Sequence, residues 1–226
     1  MYLFRHGEVD YMDAGGGWVE DSDAVELTDR GQSQACAMAE LFADVHVDKA
    51  VCSGLRRTAQ TGALVLGPRD LDIEVVSGLQ EIRHGIGEVP GGYDICADVA
   101  FSHWRAVHPD ATFLGGERYH DFYARVATTV ETLLVDDSWH DIAVFAHVGT
   151  NAAILGWATG VGLQAFGLLD QAMCCLNVID FDVDDSGAIV RKVVRGMNIT
   201  ADDPLKHRRE AGDMELLAHR LLKMGA

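Results

Sequence analysis

Short apolar runs alternate along the chain with longer stretches whose apolar positions recur at helical spacing. The runs at 2–4, 50–52, 73–76, 142–146 and 174–181, with a further one at 189–194, have the length and side-chain types of buried strands. Between them, 31–42, 56–66, 119–134 and 150–159 carry helical patterns. Strands that alternate with helices imply a mostly parallel sheet covered on both faces. The expected fold is therefore α/β, a three-layer α/β/α sandwich. Two stretches interrupt the alternation. Residues 10–25, with Gly15, Gly16 and Gly17, predict a mobile loop beside the end of the first strand. Residues 83–118 form an irregular, lid-like insertion carrying His84, His103, Trp104, Arg105 and His108. Near the end, Met214, Leu217, Leu221 and Met224 recur at helical spacing within 204–224 and predict a packed terminal helix.

Composition narrows the class. A chain of 226 residues, 48% hydrophobic and 23% charged, has an ordinary globular balance, and its size suits one domain with a real core. The formal charge of −17 argues against nucleic-acid or anionic-membrane partners, which need basic surface to displace counterions. Any phosphate pocket must be a local basic exception. The five cysteines, Cys36, Cys52, Cys96, Cys174 and Cys175, form an odd set without CxxC spacing and read as reduced, buried thiols; Cys174 and Cys175 would point to opposite faces of a strand. No stretch has the length of a membrane span, and no basic-then-apolar leader opens the chain, so a cytoplasmic protein is expected. The apolar stripe of the terminal helix and Trp157 leave a homo-oligomer open.

Chemistry concentrates where the runs end. The first strand stops in Arg5-His6-Gly7, delivering a guanidinium and an imidazole to the edge of a sheet, where open α/β folds place ligands. An arginine can clamp a phosphate bidentately, and a neutral imidazole can attack one. The second run ends at Ser53 and turns directly into a helix that opens with Arg56-Arg57, where free backbone N–H groups already favour an anion. The run at 142–146 ends in His147-Val148-Gly149 and again precedes a helix. Such a histidine can donate a hydrogen bond to a phosphoryl oxygen. After the run near Val75, Glu81 is placed to protonate a leaving alkoxide. Taken singly, each segment also fits a solvated turn or a packing residue.

In this order, Arg5-His6-Gly7-Glu8, Leu27-Thr28-Asp29-Arg30-Gly31, Ser53-Gly54-Leu55-Arg56-Arg57-Thr58-Ala59-Gln60-Thr61, Leu79-Gln80-Glu81, Gly115-Gly116-Glu117 with Arg125, and Ala146-His147-Val148-Gly149 resemble the histidine phosphatase superfamily, in its phosphoglycerate-mutase-like branch. The resemblance covers nearly the whole chain. It implies His6 as a nucleophile that becomes phosphohistidine, with Arg5, Arg57 and His147 around the phosphoryl oxygens. Glu81 would be the acid for the leaving group and then the base for water. The family pattern selects Arg57 over Arg56. Two histidines would then share one pocket in different states, His6 neutral and His147 a protonated donor beside the phosphoryl group, with a backbone carbonyl fixing the tautomer of His6. No cofactor and no metal is implied; His84, His103, His108 and His120 lack metal-site spacing.

Val9 and Met12 stand where the family often has threonine and asparagine, Gly54 where it has aspartate and Val148 where it has glycine. None of these changes removes a residue with a chemical role. Mutases of the family carry a basic and aromatic Glu-Arg-x-Tyr-Gly segment after the glutamate, whereas this chain reads Glu81-Ile82-Arg83-His84-Gly85. A phosphatase acting on a small phosphorylated metabolite is expected, with a phosphoglycerate-type mutase or a catalytically weak phosphoryl-binding scaffold as alternatives. Glu8, Arg83, His84 and Val148 are candidate substrate contacts. Arg105, Arg118, His120 and Trp104 are weaker ones.

Overall fold

A computed structural model describes residues 1–12, 19, 21–85, 95–206 and 211–224. Its centre is a six-stranded sheet. β1 (Tyr2–Arg5), β2 (Lys49–Cys52), β3 (Ile73–Val75) and β4 (Ile142–Ala146) are mutually parallel, and β5 (Leu176–Val183) and β6 (Ile189–Ile199) add an antiparallel flank. The order across the sheet is β3-β2-β4-β1-β5-β6.

β1, β2 and β4 read as apolar runs because helices cover both faces, whereas β3 at the sheet edge is largely exposed. Alternate side chains separate the two cores. Leu3, Val51 and Val144 pack with α4 (Tyr119–Leu134) and α5 (Val148–Thr159), while Phe4, Ala50, Ala143 and Phe145 pack with α1 (Asp29–Leu41) and α2 (Arg56–Leu66). On the second face Phe4 stacks on Phe145 at 4.9 Å and meets Phe42 edge-on at 5.1 Å. Helix α5 is buried on nearly all sides, which explains its lack of a polar face. This is the expected three-layer sandwich with a mostly parallel sheet.

The insertion is less irregular than the sequence suggests. It contains α3 (Ile95–Phe101) and a 3₁₀ turn at Trp104–Val107, and α3 packs against the terminal helix α7 (Asp213–Met224); a short α6 (Ala165–Leu168) also escaped the pattern. Periodicity is weak in elements of one or two turns. Much of the expected mobile loop, at 13–18 and 20, and residues 86–94 of the insertion lie outside the described residues.

Two expectations about cysteine change. Cys36 is exposed, and Cys174 precedes β5 with φ at +55°, a left-handed turn that ends the extended run. Cys52, Cys174 and Cys175 are buried, and burial pushes the last two thiols up to about 12. Among the described residues, no helix is long and apolar enough to cross a membrane.

Candidate active site

Three parallel strands end side by side, and their ladder runs one residue further. The His6 N–H donates to the Ala146 carbonyl at 3.0 Å, and that of Ser53 to the Phe145 carbonyl at 3.2 Å. Arg5, His6, Ser53 and His147 therefore share one edge, with Arg57 added from the first turn of α2. Arg5 and Arg57 are 4% exposed, His6 2% and His147 0%.

Packing two guanidinium groups around two buried histidines dictates the charge of the rings. Burial, then Arg57 and Arg5, hold His6 well below the ordinary imidazole range. Its Nδ1 lies 2.8 Å from the Gly7 carbonyl. A carbonyl only accepts, so the proton sits on Nδ1 and the lone pair on Nε2. The second ring has the opposite tautomer. The Thr58 hydroxyl donates to the Leu55 carbonyl at 2.7 Å and so accepts from Ser53 Oγ at 2.9 Å. Ser53 then accepts from Nε2–H of His147 at 2.8 Å. His147 Nδ1 is buried without a hydrogen-bond partner. Burial and Arg57 hold His147 well below its ordinary value as well. The two rings meet edge to face at 5.2 Å.

Backbone contacts hold the Gly7 carbonyl in place. A Cβ on Gly7 would lie 2.6 Å from the Gly31 carbonyl oxygen, and one on Gly31 only 2.2 Å from that of Glu8. The turn after His6 thus presses backbone to backbone on the start of α1, which gives both motif glycines a reason. Thr61 Oγ1 and Gln34 Oε1 accept the N–H groups of Gly7 and Glu8.

Glu81 lies on a loop six residues beyond β3. Its carboxylate accepts the N–H of Ile82 at 2.9 Å and of Gly149, in the first turn of α5, at 3.0 Å. Burial raises its pKa above the ordinary carboxyl value, against the opposing pull of these donors and of Arg57 and Arg5. Gly149 leaves room for this carboxylate, since a Cβ there would sit 2.4 Å from Glu81 Oε1 and push it aside.

The Glu81 loop is braced from behind. Arg125 donates to the carbonyls of Gly78 and Gln80 at 2.9 and 3.0 Å and pairs with both oxygens of Glu117 at 3.1 Å. Glu117 grips the next residues through its N–H on the Arg83 carbonyl at 2.8 Å and its carboxylate on the Arg83 N–H at 3.1 Å. A Cβ on Gly116 would fall 2.2 Å from the Arg83 carbonyl oxygen. Arg125→Leu is expected to cost about 2 kcal/mol of stability and to lower kcat about tenfold more than it changes KM, because it frees the loop carrying Glu81. Thermal denaturation and steady-state kinetics on one preparation check this.

The remaining candidates have separate places. The Glu8 carboxylate faces Thr28 and Arg30 at the N-terminus of α1, at 3.2 and 3.6 Å. Val148 is half-buried, and Arg83 and His84 are exposed; burial holds His84 somewhat low while Asp23 acts against it. Arg56 pairs on the surface with Glu26, Arg105 with Asp98 and Arg118 with Asp110. His103 is a core residue, bonded to the Tyr119 hydroxyl at 3.0 Å, stacked on Phe113 and pushed down to about 4 by burial. Among the described residues no His, Cys, Asp and Glu side chains form a metal-binding group. Sequence reasoning missed the Ser53–Thr58 relay and Tyr11, whose ring lies 5.7 Å from the Arg57 guanidinium carbon. Ser53 and Thr58 lie five residues apart inside the Ser53–Thr61 motif. For Tyr11 the only signal was its place just beyond Arg5-His6.

An unprotonated ring nitrogen among cationic groups can attack an anionic electrophile, and a carboxyl of raised pKa can protonate what leaves. The sequence profile of the histidine phosphatase superfamily (branch 1) matches residues 1–193. An adenosylcobalamin/alpha-ribazole phosphatase of Escherichia coli is 27% identical over 185 residues, covering 80% of this chain and 90% of that protein. A probable 2-carboxy-D-arabinitol-1-phosphatase of Arabidopsis thaliana is 26% identical over 91% of this chain, which spans 42% of that protein's length. The alpha-ribazole phosphatase of Shigella flexneri superimposes with a TM-score of 0.68 at 25% identity, covering 87% of this chain and 95% of that one.

Proposed function

The chain belongs to the histidine phosphatase superfamily, and from that premise we propose that it is a metal-independent phosphatase that hydrolyses phosphomonoesters of a small metabolite through phosphohistidine. The observation that carries the reading is the pair of opposed tautomers. The Gly7 carbonyl frees Nε2 of His6 to attack, and Ser53 leaves Nδ1 of His147 as the atom that takes up a proton.

In the first step the His6 Nε2 lone pair attacks phosphorus in line, and the bond to the leaving oxygen breaks as Glu81 gives that oxygen its proton. Arg5 and Arg57 hold the phosphoryl oxygens. The incoming negative charge raises the pKa of His147, which gains a proton on Nδ1 and donates it as a hydrogen bond. In the second step Glu81, now a carboxylate, takes a proton from water whose oxygen attacks phosphorus. The N–P bond breaks, returning its electron pair to Nε2 and releasing phosphate.

The test is release of inorganic phosphate in chelator over sugar phosphates, phosphoglycerates, nucleotides and an aryl phosphate, with His6→Ala as control. Chelator-resistant release that needs His6 is expected. Loss of release in chelator, or its persistence without His6, contradicts the reading. Interconversion of phosphoglycerates without release would instead identify a mutase.

The pH profile follows from the two shifts. His6 must be neutral, and its lowered pKa keeps it so well into the acid range. Glu81 must enter protonated, so activity falls as pH rises through its raised pKa. kcat/KM for an alkyl phosphate is expected to be highest at mildly acidic pH and to decline on the alkaline side. An aryl phosphate, which leaves without a proton, should decline less. An aryl phosphate ionises at lower pH than an alkyl one, so each profile is corrected for its substrate's own second ionisation before the difference is read as Glu81.

A further inference from the structure

Behind Arg5 lies a cage of carboxamides that no step above uses. Asn151, Gln171 and Asn177 are at most 1% exposed. Gln171 and Asn177 form a reciprocal amide pair, with Asn177 Nδ2 donating to Gln171 Oε1 at 2.7 Å and Gln171 Nε2 to Asn177 Oδ1 at 3.1 Å. Asn151, one turn along α5 from His147, adds a second donor to Gln171 Oε1 at 3.2 Å. Asn177 also donates to the Leu3 carbonyl in β1. Asn198, in β6 with φ at +53°, accepts the Ala172 N–H at 2.8 Å and donates to the Asp170 carboxylate at 3.3 Å. Apart from the bond to Leu3, these bonds converge on residues 170–172. The backbone carbonyl at their centre, that of Gln171, accepts a short hydrogen bond from Arg5 Nη1.

Three buried carboxamides are costly unless they fix something. We propose that Gln171, held by Asn151, Asn177 and Asn198, is a positioning residue for Arg5 and thereby for the phosphoryl group. The inference rests on the reading above that Arg5 binds phosphoryl oxygens. A carbonyl suits the task because it orients the guanidinium without adding negative charge of its own. The amide cage gives that carbonyl a fixed direction, so Arg5 needs no reorganisation when the anion arrives.

Inhibition by orthovanadate reads binding of a phosphoryl-like anion apart from leaving-group chemistry. Gln171→Met keeps the side-chain length and removes the pair; it is expected to raise the vanadate inhibition constant and the KM about tenfold, with a smaller effect on kcat. Asn198→Gly keeps the left-handed backbone and removes two pins, and it should raise both about threefold in a folded chain. In an Arg5→Ala background, Gln171→Met should add no further loss of vanadate binding, since its effect passes through Arg5. Unchanged vanadate inhibition in both single variants, or full additivity with Arg5→Ala, overturns the proposal while leaving the phosphatase reading intact. Failure of the unaltered protein to bind vanadate overturns both.

Discussion

His6→Ala is expected to lower kcat for every phosphomonoester by about four orders of magnitude or more, because the bond from its Nε2 to phosphorus is what carries the phosphoryl group between leaving alcohol and water. The folded state should survive. The backbone N–H of His6, which extends the ladder to the Ala146 carbonyl, is untouched by the substitution. The ring's own bond goes to the Gly7 carbonyl, whose residue stays packed on Gly31. A circular dichroism spectrum and melting temperature close to those of the parent, with activity at background, is the expected pair of results. Retention of more than about 1% of kcat would remove His6 from the role of nucleophile.

Glu81→Gln should separate substrates by their leaving groups. The amide keeps the volume and can still accept one backbone N–H, from Ile82 or Gly149, but it has no proton to give. For alkyl phosphates kcat/KM is expected to fall about 10²–10³-fold, the range of general acid catalysis. For an aryl phosphate the loss should stay under about tenfold in the first step. The kcat for aryl substrates will fall further where hydrolysis of phosphohistidine limits it, because the same residue serves as base. Equal losses in kcat/KM for both classes would contradict the assignment of Glu81 as the acid. Gly149→Ala offers a milder counterpart, pushing the same carboxylate aside through a Cβ at 2.4 Å.

The strands that build the site were legible because each is a short apolar run that ends abruptly in a charged or polar residue. Arg5, Ser53 and His147 therefore announced their own positions at one sheet edge. The helices α2 and α4 matched their pattern to the residue, since each has one buried face. α5 was read two residues short, and it carries no amphipathic signal because protein surrounds it. Glu81 was placed near a strand end, but only the structure shows it on a loop held by Arg125 and Glu117. Those two residues were visible as a motif without a reason. The reason is that a loop has no ladder of its own, so side chains must supply its hydrogen bonds. The tautomers were half legible. A backbone carbonyl for His6 follows from its need for a free nitrogen, whereas the Ser53–Thr58 relay depends on hydroxyl directions that spacing cannot express. The cage around Gln171 had no signature, because its members come from α5, β5, β6 and a loop and meet only in space.

The central claim is a covalent bond between His6 and phosphorus, and trapping it is the most direct measurement. The protein is mixed with an aryl phosphate labelled at phosphorus and quenched during turnover under alkaline denaturing conditions, which preserve phosphohistidine, and the label is mapped by peptide. Acid-labile label on the peptide carrying His6, formed faster than phosphate is released and lacking in His6→Ala, is the predicted result. Steady turnover with no label on the chain, or label on any other residue, would contradict it.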